Sequence, residues 1–276
     1  MNNLLIFGYG YTAAYIASSL NSNQWNIIGT TRSQEAHHNI IEYNKNQISK
    51  ALETVTHIII SIPPSIKGDI VLGEFKELLL ATKNLKWIGY LSSSSVYGNH
   101  NGAWVDENTK LIPLSERAKN RVLAEQQWLD FGKQHNINTN VFRLAGIYGP
   151  SRNALESVTA GKAKSILKEG QCFSRIHVED IANVVKLAIS NNATSEIYNV
   201  ADDYPCPTYE VNDFAAKLLN VSTPSMIKFS QASLSPMAKE FYADNKKISN
   251  RKIKAQLTVK LKYPTFREGL QSLIVR

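Results

Sequence analysis

The sequence predicts an α/β protein whose doubly wound parallel sheet is followed by a smaller C-terminal lobe. Three observations lead to this prediction. Short apolar runs with little polar alternation, typical of strands buried on both faces, alternate with segments of helical periodicity. A pair of glycines follows the first of these runs, and the alternation becomes irregular after Pro150. A chain of 276 residues is also long enough to bury a full core.

The predicted elements up to Pro150 follow one another as strand, helix, strand. Strands are predicted at residues 3–7, 25–30, 57–62, 87–92 and 138–143, and helices at residues 11–20, 69–82 and 115–134. The run HIIISI at residues 57–62 is almost entirely apolar, so both of its faces should be covered. Right-handed crossovers would bring the carboxyl ends of these strands to one edge of the sheet, where ligands bind in open α/β folds.

The part after Pro150 is less regular. The pattern predicts helices at residues 180–190 and 209–219, a short strand at residues 197–200 and a basic tail. We expect residues 1–150 to form a Rossmann-like sheet domain. Residues 151–276 should form a smaller substrate lobe, interleaved with the first domain in one compact unit.

Composition and charge exclude several classes of protein. The formal net charge is +8, but the basic stretch NKKISNRKIKAQLTVKLK alternates lysines with apolar residues, as on a solvated face. We therefore expect no specific nucleic-acid binding. No apolar run is long enough to span a bilayer and no signal peptide is visible, so a cytoplasmic protein is expected. Cys172 and Cys206 form no CxxC pair, and we propose no metal site.

The stretch FGYGYTA follows the first predicted strand and precedes the first helix. Its glycines are consistent with a tight turn or with a site where a diphosphate approaches bare backbone. Between a strand and a helix the spacing GxGxxA, which ends at Ala13, favours a dinucleotide site. The residues expected to contact the cofactor there are Gly8, Tyr9, Gly10, Tyr11 and Thr12.

The end of the second strand discriminates between dinucleotides. An NAD site usually carries an acid there, whereas this chain has Thr31 and Arg32 and no acid before Glu35. A guanidinium and a hydroxyl suit a 2′-phosphate, so we expect NADP, with NAD as the alternative; Arg32 could also be simply solvated. In SIPPS, Ile62 and Pro63 should pass along the same cofactor.

Five stretches resemble one known family. They are YLSSSSVYGN at residues 90–99, RLAGIYGP at 143–150, RIHVEDIA at 175–182, IYNVADD at 197–203 and KYPTFREGL at 262–270. In this order they resemble an atypical extended short-chain dehydrogenase/reductase of the NAD-dependent epimerase/dehydratase family. The resemblance covers nearly the whole chain.

The resemblance implies several site residues. Ser93 corresponds to the hydroxyl that holds the reacting group of the substrate. Dehydratases of the family carry Asp and Glu where this chain has Ser94 and Ser95, so dehydration driven by carboxylates is disfavoured. His177 resembles a position that supports the junction of the two lobes. Further residues implied are Ser92 and Gly146 at the cofactor, and Ser94, Tyr148 and Arg175 at the substrate.

The chain departs from the family at the catalytic YxxxK pair. In SERAKNRVLAEQ the family glutamate matches Glu125, which places Arg121 at the lysine position and Arg117 at the tyrosine position. An arginine stays protonated and cannot serve as a neutral base. Arg121 is expected at the cofactor ribose or in an ion pair with Glu125. Other candidates are the pair Ser115 and Lys119, and, for the proton donor, Tyr97 or Tyr148.

Two function classes follow from these observations. The first is an NADP-dependent oxidoreductase or epimerase that acts on a sugar-nucleotide-like or small carbonyl or hydroxyl substrate, with Ser93, Tyr97 and Arg121 at the reacting centre. The second is a cofactor-binding sensor or interaction protein without turnover, which the missing pair favours. Family members often dimerise through the helices predicted at 69–82 and 115–134, and a monomer is the alternative.

Overall fold

The computed structural model describes residues 1–32, 39–191 and 194–274. The strands are β1 (Asn2–Phe7), β2 (Trp25–Thr31), β3 (Ile40–Glu42), β4 (His57–Ile60), β5 (Trp87–Ser93), β6 (Trp104–Val105), β7 (Asn138–Leu144), β8 (Gly146–Tyr148), β9 (Ser165–Leu167), β10 (Arg175–His177), β11 (Glu196–Val200), β12 (Met226–Lys228) and β13 (Lys247–Ile248). The helices are α1 (Tyr11–Ser19), α2 (Lys45–Leu52), α3 (Ile70–Ala81), α4 (Glu116–His135), α5 (Ala154–Thr159), α6 (Val178–Ser190), α7 (Thr208–Leu218), α8 (Pro236–Ala243), α9 (Arg251–Gln256) and α10 (Phe266–Ile274).

A seven-stranded sheet carries the strands in the order β11-β7-β5-β4-β1-β2-β3. The pairs from β3 to β5 are parallel, with Leu5 opposite Ile28 on one side and opposite Ile58 on the other. The predicted α/β, Rossmann-like fold class is therefore confirmed. Residues 197–200, predicted to lie in the smaller lobe, instead belong to β11, which is an edge strand of this sheet beside β7.

The core follows from the apolar runs. Ile58, Ile59 and Ile60 have no exposed surface, as expected for a central strand covered on both faces. One buried cluster joins β1, β4 and β5 to the helices α2, α3 and α4, with Trp128 and Phe131 of α4 packed into it. Burial of this surface is the main stabilising contribution to the sheet.

The first short strand and helix after β2 were not predicted. β3 has only three residues, too few for a periodic signal, and α2 begins after Asn44, whose side chain accepts a hydrogen bond from the Gln47 N–H at 3.0 Å. Such a side chain at a helix start satisfies an amide that lacks a partner within the helix.

The chain divides into two compact units. Unit 1 consists of Met1–Ser93, Glu116–Arg143 and Ile181–Tyr198, and unit 2 consists of Ser94–Ser115, Leu144–Asp180 and Asn199–Arg276. The core of unit 2 is an apolar cluster of α5, α7 and α10 around Phe266 and Leu270. The chain passes between its units several times, whereas the predicted division is a single one, after residue 150. Among the described residues, no helix has the length and apolar character needed to cross a bilayer.

Candidate functional site

The two glycines after β1 differ in whether the local backbone requires a glycine at that position. Gly8 has a φ of +88°, and a Cβ added to it would lie 2.8 Å from Cγ1 of Ile62, so the turn itself needs glycine. Gly10 has an ordinary φ of −99°, and an added Cβ would meet nothing within 4 Å. The fold therefore does not demand glycine at position 10. What its absent side chain provides is open space in front of the first turn of α1.

Thr30 fixes this turn against the end of β2. Its Oγ1 accepts a hydrogen bond from the Gly8 N–H at 3.0 Å, and its carbonyl oxygen accepts one from the Tyr9 N–H at 2.8 Å. α1 then begins at Tyr11 with no side-chain cap and no acidic residue in its first turn. The helix dipole and first-turn amides of such a start suit an anionic group.

A cleft of about 450 Å³ opens at this turn. It brings together seven of the residues predicted at the cofactor: Gly8, Tyr9, Gly10, Thr31, Arg32, Ile62 and Pro63. Its other lining residues are Thr30, Tyr43, Ser61, Ile70 and Glu74. Of the remaining predicted residues in α1, Thr12 is buried and Tyr11 places its ring 5.3 Å from that of Tyr15. Glu35 lies outside the described residues.

Two of the residues that line the cleft, Tyr43 and Glu74, were not predicted from the sequence. Of the unpredicted lining residues, they have the largest effect on the charge of the cleft. The Tyr43 hydroxyl donates a hydrogen bond to Glu74 Oε2 at 2.9 Å. Burial raises the pKa of Tyr43, Glu74 raises it further, and Arg32 acts in the opposite direction. No sequence motif identifies these two residues, because Tyr43 reaches the cleft from the segment between β3 and α2, and Glu74 reaches it from α3.

Ser92 at the end of β5 belongs to a buried polar network. Its hydroxyl donates to Glu125 Oε1 at 2.5 Å, and Glu125 accepts from Nη2 of Arg143 at 2.8 Å and from its Nε at 3.2 Å. Glu125 and Arg143 are each 3% exposed. Buried charges of this kind are retained when they are paired and fully hydrogen-bonded. The ion-pair partner of Glu125 in this network is thus Arg143, not Arg121.

The two arginines predicted at the positions of the family's Tyr and Lys pair differ in burial. Arg121 is half-buried, and its Nη1 donates to the Leu91 carbonyl oxygen at 3.1 Å, near the end of β5. Arg117, one turn earlier on α4, is exposed. Lys119 lies in an exposed pair with Glu116 at 2.6 Å. Of these three, Arg121 is the cation directed to the carboxyl edge of the sheet.

The hydroxyl-rich segment after β5 begins with half-buried side chains. Ser93 ends β5, and Ser94 opens a short 3₁₀ turn that ends at Tyr97. Tyr97 has no exposed surface, and its hydroxyl donates to Asn199 Oδ1 at 2.8 Å. Within unit 2, the Tyr97 hydroxyl therefore takes part in an internal hydrogen bond.

The predicted substrate residues of unit 2 are also held internally. Tyr148 is 7% exposed and donates to the Thr265 carbonyl oxygen at 3.3 Å. Nη1 of Arg175 donates to the carbonyl oxygens of Phe173 and Cys206 at 2.9 and 3.0 Å. Gly146 is exposed at the start of β8. These backbone contacts give Arg175 a structural role in this unit.

Asp202 was not predicted and has a perturbed carboxyl group. It is 1% exposed, Oδ1 accepts from the Tyr204 N–H at 3.1 Å, and Oδ2 has no hydrogen-bond partner among the described residues. Burial raises its pKa to about 8, although the Tyr204 amide and Arg175 act against this rise. The motif IYNVADD contains this residue but gives no sign of its burial.

The chain is similar to one protein family and to several known proteins. The sequence profile of the NAD dependent epimerase/dehydratase family matches residues 76–201. A solved structure of a conserved protein of unknown function from Silicibacter pomeroyi is 40% identical, covers 100% of this chain and 99% of its own, and superposes with a TM-score of 0.89. Protein YeeZ of Escherichia coli K12 is 25% identical over 72% of this chain and 77% of its own length.

Two more distant solved structures share the fold. Human epimerase family protein SDR39U1, solved with NADPH, is 15% identical with a TM-score of 0.79, and covers 98% of each chain. A dTDP-glucose 4,6-dehydratase from Bacillus anthracis, solved in complex with NAD, is 20% identical with a TM-score of 0.77, and covers 100% of this chain and 96% of its own.

Proposed function

The chain belongs to the NAD-dependent epimerase/dehydratase family, and on that premise we propose that it is an NADP-dependent oxidoreductase or epimerase of atypical type. Its substrate would be a sugar-nucleotide-like molecule or a smaller carbonyl or hydroxyl compound. The cleft after β1, β2 and β4 would hold the adenosine and diphosphate part of the cofactor.

The observation that carries the proposal is the contrast between Gly8 and Gly10. Gly8 is explained by its positive φ and by Ile62, but nothing within the described protein occupies the space in front of Gly10. A glycine that the backbone does not need, at the uncapped start of a helix, allows a diphosphate to approach the amides closely. The residues of the cleft therefore fit a dinucleotide.

The preference for NADP is supported by the end of β2. Thr31 and Arg32 line the cleft where NAD-binding proteins usually place an acid. A guanidinium forms charge-assisted hydrogen bonds with a 2′-phosphate, and these are stronger than bonds between neutral groups. Human SDR39U1, whose structure contains NADPH, is consistent with this choice, whereas the dehydratase from Bacillus anthracis contains NAD.

The chemistry would be shared between cofactor and protein. When bound, the nicotinamide supplies or accepts the hydride. Ser93, at the end of β5, would hydrogen-bond the reacting hydroxyl or carbonyl of the substrate, and Arg121 would bind the ribose next to the nicotinamide. Arg117 replaces the usual tyrosine and cannot act as a neutral base. Proton transfer would fall to Tyr97 or Tyr148, both of which need a local rearrangement to reach a substrate.

A second function is favoured by one observation. Because arginines occupy both positions of the family's Tyr and Lys pair, the chain could bind the cofactor without turnover, as a redox sensor or an interaction protein. This alternative shares the cofactor cleft with the first. The two differ only in whether a substrate is converted.

A substrate screen separates these functions. Purified protein would be incubated with NADP or NADPH, and separately with NAD or NADH, together with panels of nucleotide sugars and small aldehydes, ketones and alcohols. Absorbance of the reduced nicotinamide reports net oxidation or reduction, and chromatography of the sugar reports epimerisation. Conversion that disappears in Ser93→Ala supports the enzyme. Saturable cofactor binding with no conversion in either assay supports the sensor.

A further inference from the structure

A carboxylate shares the cofactor cleft with Arg32. Glu74 of α3 lines the same cleft as Thr31 and Arg32, although the sequence around the end of β2 contains no acid before Glu35. The adenosine end of the cleft therefore carries a positive and a negative side chain. Their effects on an additional phosphate are opposite in sign.

Tyr43 holds the carboxylate of Glu74 in this position. The Tyr43 hydroxyl donates to Glu74 Oε2 at 2.9 Å. The ring of Tyr43 packs edge-on against buried Phe75, with centroids 5.5 Å apart and planes at 81°. Because the ring is anchored, the exposed Glu74 side chain has fewer conformations open to it than an ordinary surface glutamate.

The opposite charges of Glu74 and Arg32 act in the same part of the cleft. Glu74, Arg32 and Tyr43 line the same cleft, and the two charged side chains act on the pKa of the Tyr43 hydroxyl in opposite directions: Glu74 raises it and Arg32 lowers it. A phosphate monoester adds about 1.5–2 negative charges near neutral pH. A carboxylate within a Debye length of about 8–10 Å opposes such a group. An unphosphorylated ribose escapes this repulsion.

We propose that Glu74 is a specificity-determining residue of this cleft, which limits the preference for NADPH that Arg32 creates, and that Tyr43 is the residue that positions it. The inference rests on the proposed function, since it assumes that the cleft binds the adenosine end of a nicotinamide dinucleotide. It places the discriminating acid on α3, whereas such proteins usually carry it at the end of the second strand.

The test compares Glu74→Gln with the wild-type protein. Dissociation constants are measured by titration with NADPH and NADH, and with the fragments 2′,5′-ADP and 5′-AMP, which isolate the 2′-phosphate. We expect Glu74→Gln to tighten NADPH and 2′,5′-ADP by about threefold or more, the scale of one exposed charge pair. NADH and 5′-AMP, which lack the 2′-phosphate, should tighten by less, so that both ratios move toward the 2′-phosphorylated ligand. Glu77→Gln, an exposed glutamate of the same helix outside the cleft lining, is the matched control and should change neither ratio.

Tyr43→Phe distinguishes positioning from direct contact. In the wild-type background it should shift the ratio toward NADPH, because the carboxylate is no longer held in the cleft. In the Glu74→Gln background it should leave the ratio unchanged. Cofactor binding with a ratio that Glu74→Gln leaves unaltered would overturn the inference alone. Failure of the wild-type protein to bind either dinucleotide would overturn the proposed function and the inference with it.

Discussion

Two polar regions of unit 1 differ in whether their charged groups are buried and paired or exposed. In the network of Ser92, Glu125 and Arg143, each charged group is buried and the guanidinium, carboxylate and hydroxyl bond to one another. In the cleft, Arg32 is exposed and Gly10 faces open space. The first region therefore has no need of a ligand, whereas the second has the composition of a binding site.

This difference shows that the burial of a charged residue, and not its type, determines its role. Both regions lie in unit 1, and by type both contain an arginine and a glutamate. Burial decides between them, because a buried charge must be paired within the protein and an exposed charge is available to a ligand. Glu125 and Arg143 brace the end of β5, whereas Arg32 and Glu74 are exposed and line the cleft.

The largest expected effect is the loss of dinucleotide binding in the cleft. Gly10→Val should abolish binding of NADPH and NADH and leave a folded protein, because a Cβ added at Gly10 meets nothing within 4 Å but lies in the space proposed for the diphosphate. Circular dichroism reports the fold and fluorescence titration reports binding. Gly8→Val is the matched variant and should instead destabilise the protein, since its φ is +88° and Ile62 is in the way. Normal binding by folded Gly10→Val would mean that the turn has no ligand.

The second prediction breaks the buried network. Glu125→Ala should lower the free energy of unfolding by about 3–5 kcal/mol, because it leaves the guanidinium of Arg143 buried without its counter-charge. Urea denaturation measures the change. Glu116→Ala removes an ion pair whose side chains are 53% and 71% exposed and should cost no more than about 1 kcal/mol. Equal costs for both variants would show that the network contributes nothing special.

The third prediction concerns α4. Turnover of the wild-type protein should be slow by family standards, because Arg117 stands at the predicted position of the usual tyrosine and general acid–base catalysis typically contributes about 10²–10⁴-fold. The double variant Arg117→Tyr, Arg121→Lys should raise the rate with any substrate that the screen identifies, and should introduce a new pH dependence. Steady-state rates across pH measure both. A double variant slower than wild type at every pH would contradict this interpretation of α4.

The fourth prediction uses a buried acid outside both regions. Asp202 has its pKa raised to about 8 by burial, so the folded chain binds this proton more tightly than the unfolded chain, and stability is lost as pH rises from about 4 to about 8. Asp202→Asn removes that loss. It should exceed wild type in free energy of unfolding by about 1–3 kcal/mol at pH 8.5, with the difference shrinking towards pH 4. A difference independent of pH would show that Asp202 does not titrate in this range.

The sequence predicted the sheet well because its strands are long apolar runs, such as HIIISI, whose burial on both faces leaves little ambiguity. It also predicted the glycine turn, Thr31, Arg32, Ile62 and Pro63, since these follow directly after strands. It could not predict Tyr43 and Glu74, which meet only through the packing of β3 against β2 and of α2 against α3. Nor could it predict that Glu125 pairs with Arg143, because that choice depends on the neighbouring strand β7.

The smallest effect is also the most direct test of the central claim, that the cleft holds NADP. NADPH and NADH would be titrated into wild-type protein and into Arg32→Ala, with intrinsic fluorescence as the signal. We expect saturable binding with NADPH preferred by about tenfold, since a charge-assisted hydrogen bond contributes about 1.5–3 kcal/mol and Glu74 offsets part of it. Arg32→Ala should erase most of that preference and leave NADH binding nearly unchanged. Equal affinities for the two dinucleotides in the wild-type protein would contradict the claim.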